Sequence, residues 1–311
     1  MRSGKVLVLI PLSADCITAL QDNYDTLVSP KGWPESDVAR DGAAVRAVVT
    51  NGSRGLSAAE MAALPALELV ACYGAGHENV DLAAARQRGI AVTSAPGANS
   101  DTVADHALGL MLAVARDIPA RDRAVREGGW DAIRGARPTL TGATLGLLGL
   151  GQIGARIAQR AAAFEMRIAY HTPKQKPDVR WTYAPTPVAL AEQSDFLVLA
   201  CPGGPATRHM VDAKVLAALG RGGFLINVAR GSVVDSAALL DALAARGIAG
   251  AGLDVWDGEP DFPPALLQSP LVVLTPHMSG RSPEAIRYQT KLLLSNLAAV
   301  FTQKPLQALV G

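Results

Sequence analysis

The run Gly149-Leu150-Gly151-Gln152-Ile153-Gly154 constrains this chain most. It directly follows the apolar stretch Thr144 to Leu148 and opens the helix-forming stretch Ala155 to Phe164. Glycines at that spacing between a strand and a helix carry three separate demands. Gly149 permits a tight turn, Gly151 lets the backbone come close to a ligand, and Gly154 lets helix and strand pack together. The ligand such a turn suits is a pyrophosphate, because free amides and the helix dipole at a helix N-terminus favour an anion. The sequence therefore predicts a dinucleotide site built from this loop.

The surroundings agree with a parallel α/β organisation. From Gly142 onward, six strand-like runs (ATLGLLGL, MRIAYH, FLVLACP, GGFLINVAR, IAGAGLDVW and LVVLTPH) alternate mostly with helical segments, which suits a doubly wound domain. The N-terminal third has its own series, KVLVLI, YDTLV, VRAVVT, LELVACY and IAVTS, separated by Ala-rich segments such as SAAEMAALPAL and VDLAAARQRG. Parallel neighbours need crossover helices, so this is a second α/β unit. A long helical stretch from Thr102 to Gly128, opened by Ser100 or Asp101 as N-cap and interrupted at Pro119, is expected to couple the two. Its first part is apolar nearly all round and its charged continuation is a candidate contact with a second subunit. The last helix, expected over 283–302, should return to the N-terminal unit. The expected division is thus 1–99 with 284–311 as one discontinuous domain and 100–283 as the other.

Composition excludes several classes. With 311 residues, 49% of them hydrophobic, the chain is long enough for two cores. Lys and Arg number 29 against 28 for Asp and Glu, giving a net charge of +1 and no basic excess for coating nucleic acid. Cys16, Cys72 and Cys201 are far apart, so neither a metal cluster nor a disulfide framework is expected. The apolar run at the N-terminus is short, contains Pro11 and reads as a first strand rather than a signal peptide, and no stretch reads as a membrane span. The expectation is a cytoplasmic protein acting on a small molecule.

About twenty residues after the glycine loop, where enzymes using NAD usually place an acid on the ribose, the chain reads Tyr170-His171-Thr172-Pro173-Lys174-Gln175-Lys176. No carboxylate stands there. Thr172 can donate a hydrogen bond and Lys174 or Lys176 a positive charge to a 2′-phosphate, so NADPH is expected to be preferred, with NADH possible. Three polar residues lie at or just beyond the ends of successive strand-like runs: Arg230, Glu259 and His277. Parallel strands direct their carboxyl ends to one edge, so the three can meet beside the cofactor.

The chain resembles the D-isomer-specific 2-hydroxyacid dehydrogenases, and among them the glyoxylate/hydroxypyruvate reductase branch. The resemblance rests on Gly76-His77-Glu78-Asn79-Val80-Asp81-Leu82, Thr102-Val103-Ala104-Asp105-His106-Ala107, the glycine loop, Asn227-Val228-Ala229-Arg230-Gly231, Leu253-Asp254-Val255 with Glu259-Pro260, and Thr275-Pro276-His277. It implies two Rossmann-like or flavodoxin-like domains with parallel sheets and a cleft between them, and a homodimer. It implies Arg230, Glu259 and His277 as the catalytic set. It further implies cofactor contacts from Gly149 to Gly154, from Thr172, Lys174, Cys201, Pro202, Thr207, Val228, Ala229, Arg230, Asp254, His277 and Gly280, and from Thr102. Substrate contacts fall to Ala75, Gly76, Asn51, Arg230 and His277, with Arg54 and Arg281 as candidates for polar substrate tails. Trp130 resembles the tryptophan of the segment that closes active sites in this branch, although Ile133 holds its usual second tryptophan position.

That set suits the chemistry. Hydride delivery to C2 of a 2-keto acid builds negative charge on the carbonyl oxygen, which calls for a proton donor. A histidine, with an ordinary pKa of about 6.5, can supply it. Glu259 on the other ring nitrogen would orient the ring and favour its charged form, and the Arg230 fork would grip a planar keto acid. Glu259, where formate dehydrogenases of similar fold carry Gln, favours a keto-acid couple. The absence of a further regulatory domain and of a dense basic cluster disfavours phosphoglycerate. Two alternatives stay open: a reductase of a longer sugar acid such as 2-ketogluconate, and a non-catalytic dinucleotide-sensing protein like the corepressors that share this fold.

Overall fold

The computed structural model describes residues 4–310. The chain forms two compact units, one running to Asn99 and resuming at Ser282, the other spanning Ser100–Arg281.

In the first unit the order is β1 (Lys5–Val8), α1 (Ala14–Asn23), β2 (Asp25–Val28), α2 (Glu35–Asp41), β3 (Val45–Thr50), α3 (Ala58–Ala62), β4 (Leu69–Cys72), α4 (Leu82–Gln87) and β5 (Ala91–Thr93). The strands form one parallel sheet, ordered β2-β1-β3-β4-β5. Every residue of β4 is buried and β3 is nearly so, as expected for strands covered on both faces.

The second unit begins with α5 (Ser100–Arg116) and α6 (Ile118–Arg126). The expected single helical stretch breaks at Asp117, whose φ of 57° is left-handed, two residues before Pro119. Pro119 is tolerated in the first turn of α6, so the break falls at Asp117 and the proline lies inside the start of the new helix. Ser100 is already helical rather than a cap. There follow β6 (Thr144–Leu148), α7 (Gln152–Ala163), β7 (Arg167–His171), β8 (Thr182–Tyr183), α8 (Pro187–Ala191), β9 (Phe196–Leu199), α9 (Ala213–Leu219), β10 (Phe224–Asn227), α10 (Ser236–Ala244), β11 (Gly250–Leu253), α11 (Pro264–Leu267) and β12 (Val272–Leu274).

This sheet has seven parallel strands in the order β12-β11-β10-β9-β6-β7-β8, against the six expected. The extra strand, β8, is two residues long and pairs at the edge with Ala169 and Tyr170, too short to leave an alternation in the sequence. The order reverses between β6 and β9, and a crevice at the carboxyl ends of strands forms at such a switch point. α5 is buried along Val103, Ala107, Leu110, Met111 and Val114, in the same core as Leu145, Leu147, Phe196 and Ile226.

The last helix, α12 (Pro283–Phe301), is capped by Ser282, whose side chain accepts from the Ala285 amide. It belongs to the first unit: Leu293 and Leu297 join Val6, Val8, Val49 and Ala71 in one core, and the Tyr73 hydroxyl shares a hydrogen bond of 2.9 Å with Thr290. Leu297 is fully buried, so Leu297→Ala should destabilise the first unit by about 2 to 5 kcal/mol through lost burial and the cavity left behind. A urea unfolding curve with an unchanged midpoint would contradict this.

Candidate active site

The glycine loop lies at the switch point. Gly149 has a φ of 100°, and a β-carbon there would come within 2.6 Å of the Cys201 amide nitrogen after β9. A β-carbon on Gly154 would lie 2.3 Å from the Gly149 carbonyl oxygen. Both positions exclude a side chain because protein fills the space. Gly151 differs, since a β-carbon there would meet nothing within 4 Å. It is also the N-cap of α7 and offers no side chain to the first amides of that helix. Open space in front of uncapped amides fits a pyrophosphate.

The loop after β7 is tied internally. The Thr172 hydroxyl donates to the Lys174 carbonyl at 2.7 Å, so its proton is engaged within the loop. The Tyr170 hydroxyl accepts from the Lys176 amide at 3.0 Å, and the Tyr183 hydroxyl donates to the Thr172 carbonyl at 3.3 Å. Lys174 and Lys176 are left exposed on a braced loop. After β9, the Thr207 hydroxyl donates to the Pro202 carbonyl at 2.8 Å and closes the loop that begins at Cys201.

The three residues singled out as catalytic follow three neighbouring strands. After β10, the buried Asn227 folds the turn: its side chain accepts from the Ala229 amide and donates to the Arg230 carbonyl, both at 3.0 Å. Val228 and Ala229 are buried within that turn. The Arg230 guanidinium donates to the Ala229 carbonyl at 2.7 Å. Next to it, Gly231 presses on the following loop, where a β-carbon would lie 2.0 Å from the Trp256 carbonyl carbon. The turns after β10 and β11 are therefore in direct contact.

Beyond β11, Glu259 turns back so that one carboxylate oxygen accepts from the Trp256 amide at 3.2 Å. Its other oxygen lies 2.5 Å from Nδ1 of His277, which follows β12. With Nδ1 on Glu259, Nε2 is the ring nitrogen left for a substrate, and the His277 side chain is 37% exposed. His277 and Glu259 thus meet; Arg230 stands at the head of the adjoining strand.

His277 has a φ of 49°, a left-handed backbone uncommon for residues with a β-carbon. Asp254, fully buried at the end of β11, supports that turn. Its carbonyl accepts from the His277 amide at 2.9 Å, while its carboxylate accepts from the Met278 and Ser279 amides, each at 2.9 Å, and from the Thr275 hydroxyl at 2.6 Å. Burial pushes the Asp254 carboxyl up, but hydrogen bonds from His106, Ser279, Thr275 and the Met278 amide outweigh it and hold the group well below the usual carboxylate range. Asn227, Thr275 and His106 escaped the candidate set because each acts on a loop from behind, and short polar residues beside strands carry no pattern that distinguishes such a role.

The remaining predicted residues lie elsewhere. Thr102 is in the first turn of α5, and Gly280 follows β12. Asn51, after β3, accepts from the Arg54 amide at 2.8 Å, and Ala75 and Gly76 lie in the loop after β4. Arg54, a candidate for substrate tails, instead pairs with Glu60 at 2.5 Å. Trp130 is 61% exposed. Cys16 and Cys72 are buried, while Cys201 is half-buried; burial pushes the Cys72 thiol up to about 12, with Glu78 adding to it, and the Cys201 thiol up to about 11.

Comparison with known proteins identifies the family. Residues 108–279 match the family model for the D-isomer specific 2-hydroxyacid dehydrogenase, NAD binding domain. The chain is 40% identical over 310 residues to glyoxylate/hydroxypyruvate reductase A (HPR2) of Arabidopsis thaliana, covering 98% of both chains. It is 42% identical over 264 residues to the 2-ketogluconate reductase of Gluconobacter oxydans, covering 85% of each. The crystal structure of the NADPH-dependent glyoxylate/hydroxypyruvate reductase of Sinorhizobium meliloti, in complex with NADP and malonate, superposes with a TM-score of 0.91 at 38% identity, covering 100% of this chain and 97% of that one.

The lowered value of Asp254 has a definite sign. A carboxylate held below its unfolded value contributes stability that is fully present above about pH 4 and is lost as the pH falls through the native value. Asp254→Asn should lower Tm by about 5 to 10 °C near neutral pH, with the gap narrowing as the pH drops below about 4. Equal melting curves at neutral pH would refute the clamp.

Proposed function

The chain belongs to the D-isomer specific 2-hydroxyacid dehydrogenase family, and from that premise we propose that it is an NADPH-preferring reductase of glyoxylate, hydroxypyruvate or a related small 2-keto acid, yielding the D-2-hydroxy acid. The observation that carries the reading is the 2.5 Å contact of Glu259 with His277 Nδ1, at the strand ends of the sheet whose switch point holds the glycine loop.

Bound there, the nicotinamide supplies the hydride. His277 Nε2 then gives its proton to the carbonyl oxygen as negative charge develops on it. Glu259 holds the ring and stabilises the positive charge that proton donation requires. Arg230 takes the planar keto acid in a forked, charge-assisted contact and polarises its carbonyl. The family resemblance assigns substrate contacts in the first unit to Asn51, Ala75 and Gly76. Lys174 supplies the charge for the 2′-phosphate, supported by its exposure on a braced loop whose residues 172–177 include no carboxylate, and the relative of known structure is NADPH-dependent. A homodimer acting in the cytoplasm completes the proposal, the pairing supported by the exposed Ile118, Val125 and Trp130 of the second unit. No helix among the described residues is long and apolar enough to cross a membrane.

The likeness to a 2-ketogluconate reductase favours a second reading, with a longer sugar acid as substrate. Absorbance assays of purified protein with NADPH and NADH against glyoxylate, hydroxypyruvate, pyruvate and 2-ketogluconate separate the two. The first reading expects the highest kcat/KM on a small keto acid with NADPH. Lys174→Ala should erode the preference for NADPH; a kcat/KM ratio favouring NADH in the unaltered enzyme would reject it. His277→Ala should lower kcat by roughly 10² to 10⁴, and near-normal turnover would remove His277 from the mechanism.

A further inference from the structure

One side chain of the Thr102 to Ala107 segment has no part in the chemistry so far. His106 projects from α5, with Nε2 2.9 Å from the Thr275 hydroxyl oxygen and 3.5 Å from the nearer Asp254 carboxylate oxygen. The Thr275 oxygen is itself 2.6 Å from that same carboxylate oxygen.

Counting protons assigns the roles. An ionised carboxylate only accepts, and a hydroxyl has one proton to give. Thr275 gives its proton to Asp254, so its oxygen accepts from His106, and the His106 ring carries a hydrogen on Nε2 whether neutral or charged. A chain of directed hydrogen bonds then runs from His106 through Thr275 to Asp254. Its far end is the carboxylate that takes the Met278 and Ser279 amides, the two that directly follow the left-handed His277. Removing the first donor leaves the Thr275 oxygen without its partner in a largely buried site.

We propose that His106 is a positioning residue: its Nε2 hydrogen, acting through Thr275 and Asp254, holds the turn 275–279 in the shape that presents the His277 imidazole to Glu259. This rests on the reading of His277 as proton donor.

The test compares His106→Gln, which carries an N–H donor, with His106→Phe, which fills the space without one. Thr275→Val and the double variant His106→Phe/Thr275→Val complete a cycle. Kinetics are measured with NADPH and the keto acid that the unaltered enzyme reduces best, normalised to folded protein by circular dichroism. His106→Phe should lose roughly tenfold in kcat with little change in the keto-acid KM. His106→Gln should recover most of that loss, and the double variant should be no slower than the worse single one. Ring-nitrogen NMR of the cofactor-free protein should find the hydrogen on Nε2 of His106. Normal kcat in His106→Phe, no rescue by Gln, multiplying losses in the double variant, or a hydrogen confined to Nδ1 would each overturn the proposal. If instead His277→Ala keeps its turnover, the proton-donor reading fails, and this proposal fails with it; a slow His277→Ala beside a normal His106→Phe sinks the positioning role alone.

Discussion

The buried carboxylate of Asp254 is the interaction on which the turn carrying His277 depends. It sits at the end of β11, fully inaccessible, and gathers a hydroxyl and two backbone amides from the turn that follows β12. Charge-assisted bonds of this kind are stronger than neutral ones, and their loss in a buried site leaves several donors unmet together. That concentration of donors holds His277 in a backbone region it would otherwise avoid, which brings its ring within 2.5 Å of Glu259. A rigid pair is worth more to a proton transfer than a mobile one, because the geometry is already in place when charge develops.

The sheet supplies the rest. Parallel strands place all their carboxyl ends on one edge, so the turns bearing Arg230, Glu259 and His277 emerge side by side from β10, β11 and β12. The order reverses between β6 and β9, and the glycine loop follows β6 at that switch point. There Gly149 and Gly154 are closed in by the protein's own atoms while Gly151 looks into open space. The same loop geometry thus separates two glycines that serve packing from one that faces open space. Glu78, Asn51 and the loop after β4 belong to the other unit, where Gly52 leaves no room for a β-carbon beside the Glu78 carboxylate.

Much of this was legible in the residues. The glycine spacing between an apolar run and a helix, the rhythm of strand-like runs, and the absence of a carboxylate over residues 171–177 are local patterns, set by backbone sterics, burial and charge, and each can be read without knowing what lies far away in the chain. The elements missed were weak in just those terms: β8 is two residues long, and the break in the long helix sits at Asp117 rather than at the more conspicuous Pro119. Arg54 looked available for a substrate because its partner, Glu60, lies on the following helix and is brought to it only by folding.

The sequence by itself determined the class of fold, the place of the glycine turn between β6 and α7 and the residue types able to carry proton transfer, because these follow from short-range periodicity and side-chain chemistry. Tertiary structure alone decided that His277 meets Glu259, that Thr172 turns its hydroxyl into its own loop, and that His106, well over a hundred residues before Thr275, bonds to it. Two of those pairings join groups far apart in the chain and the third turns on the direction of one hydroxyl, and hydrogen bonds depend on distance and direction in space, which no linear spacing encodes.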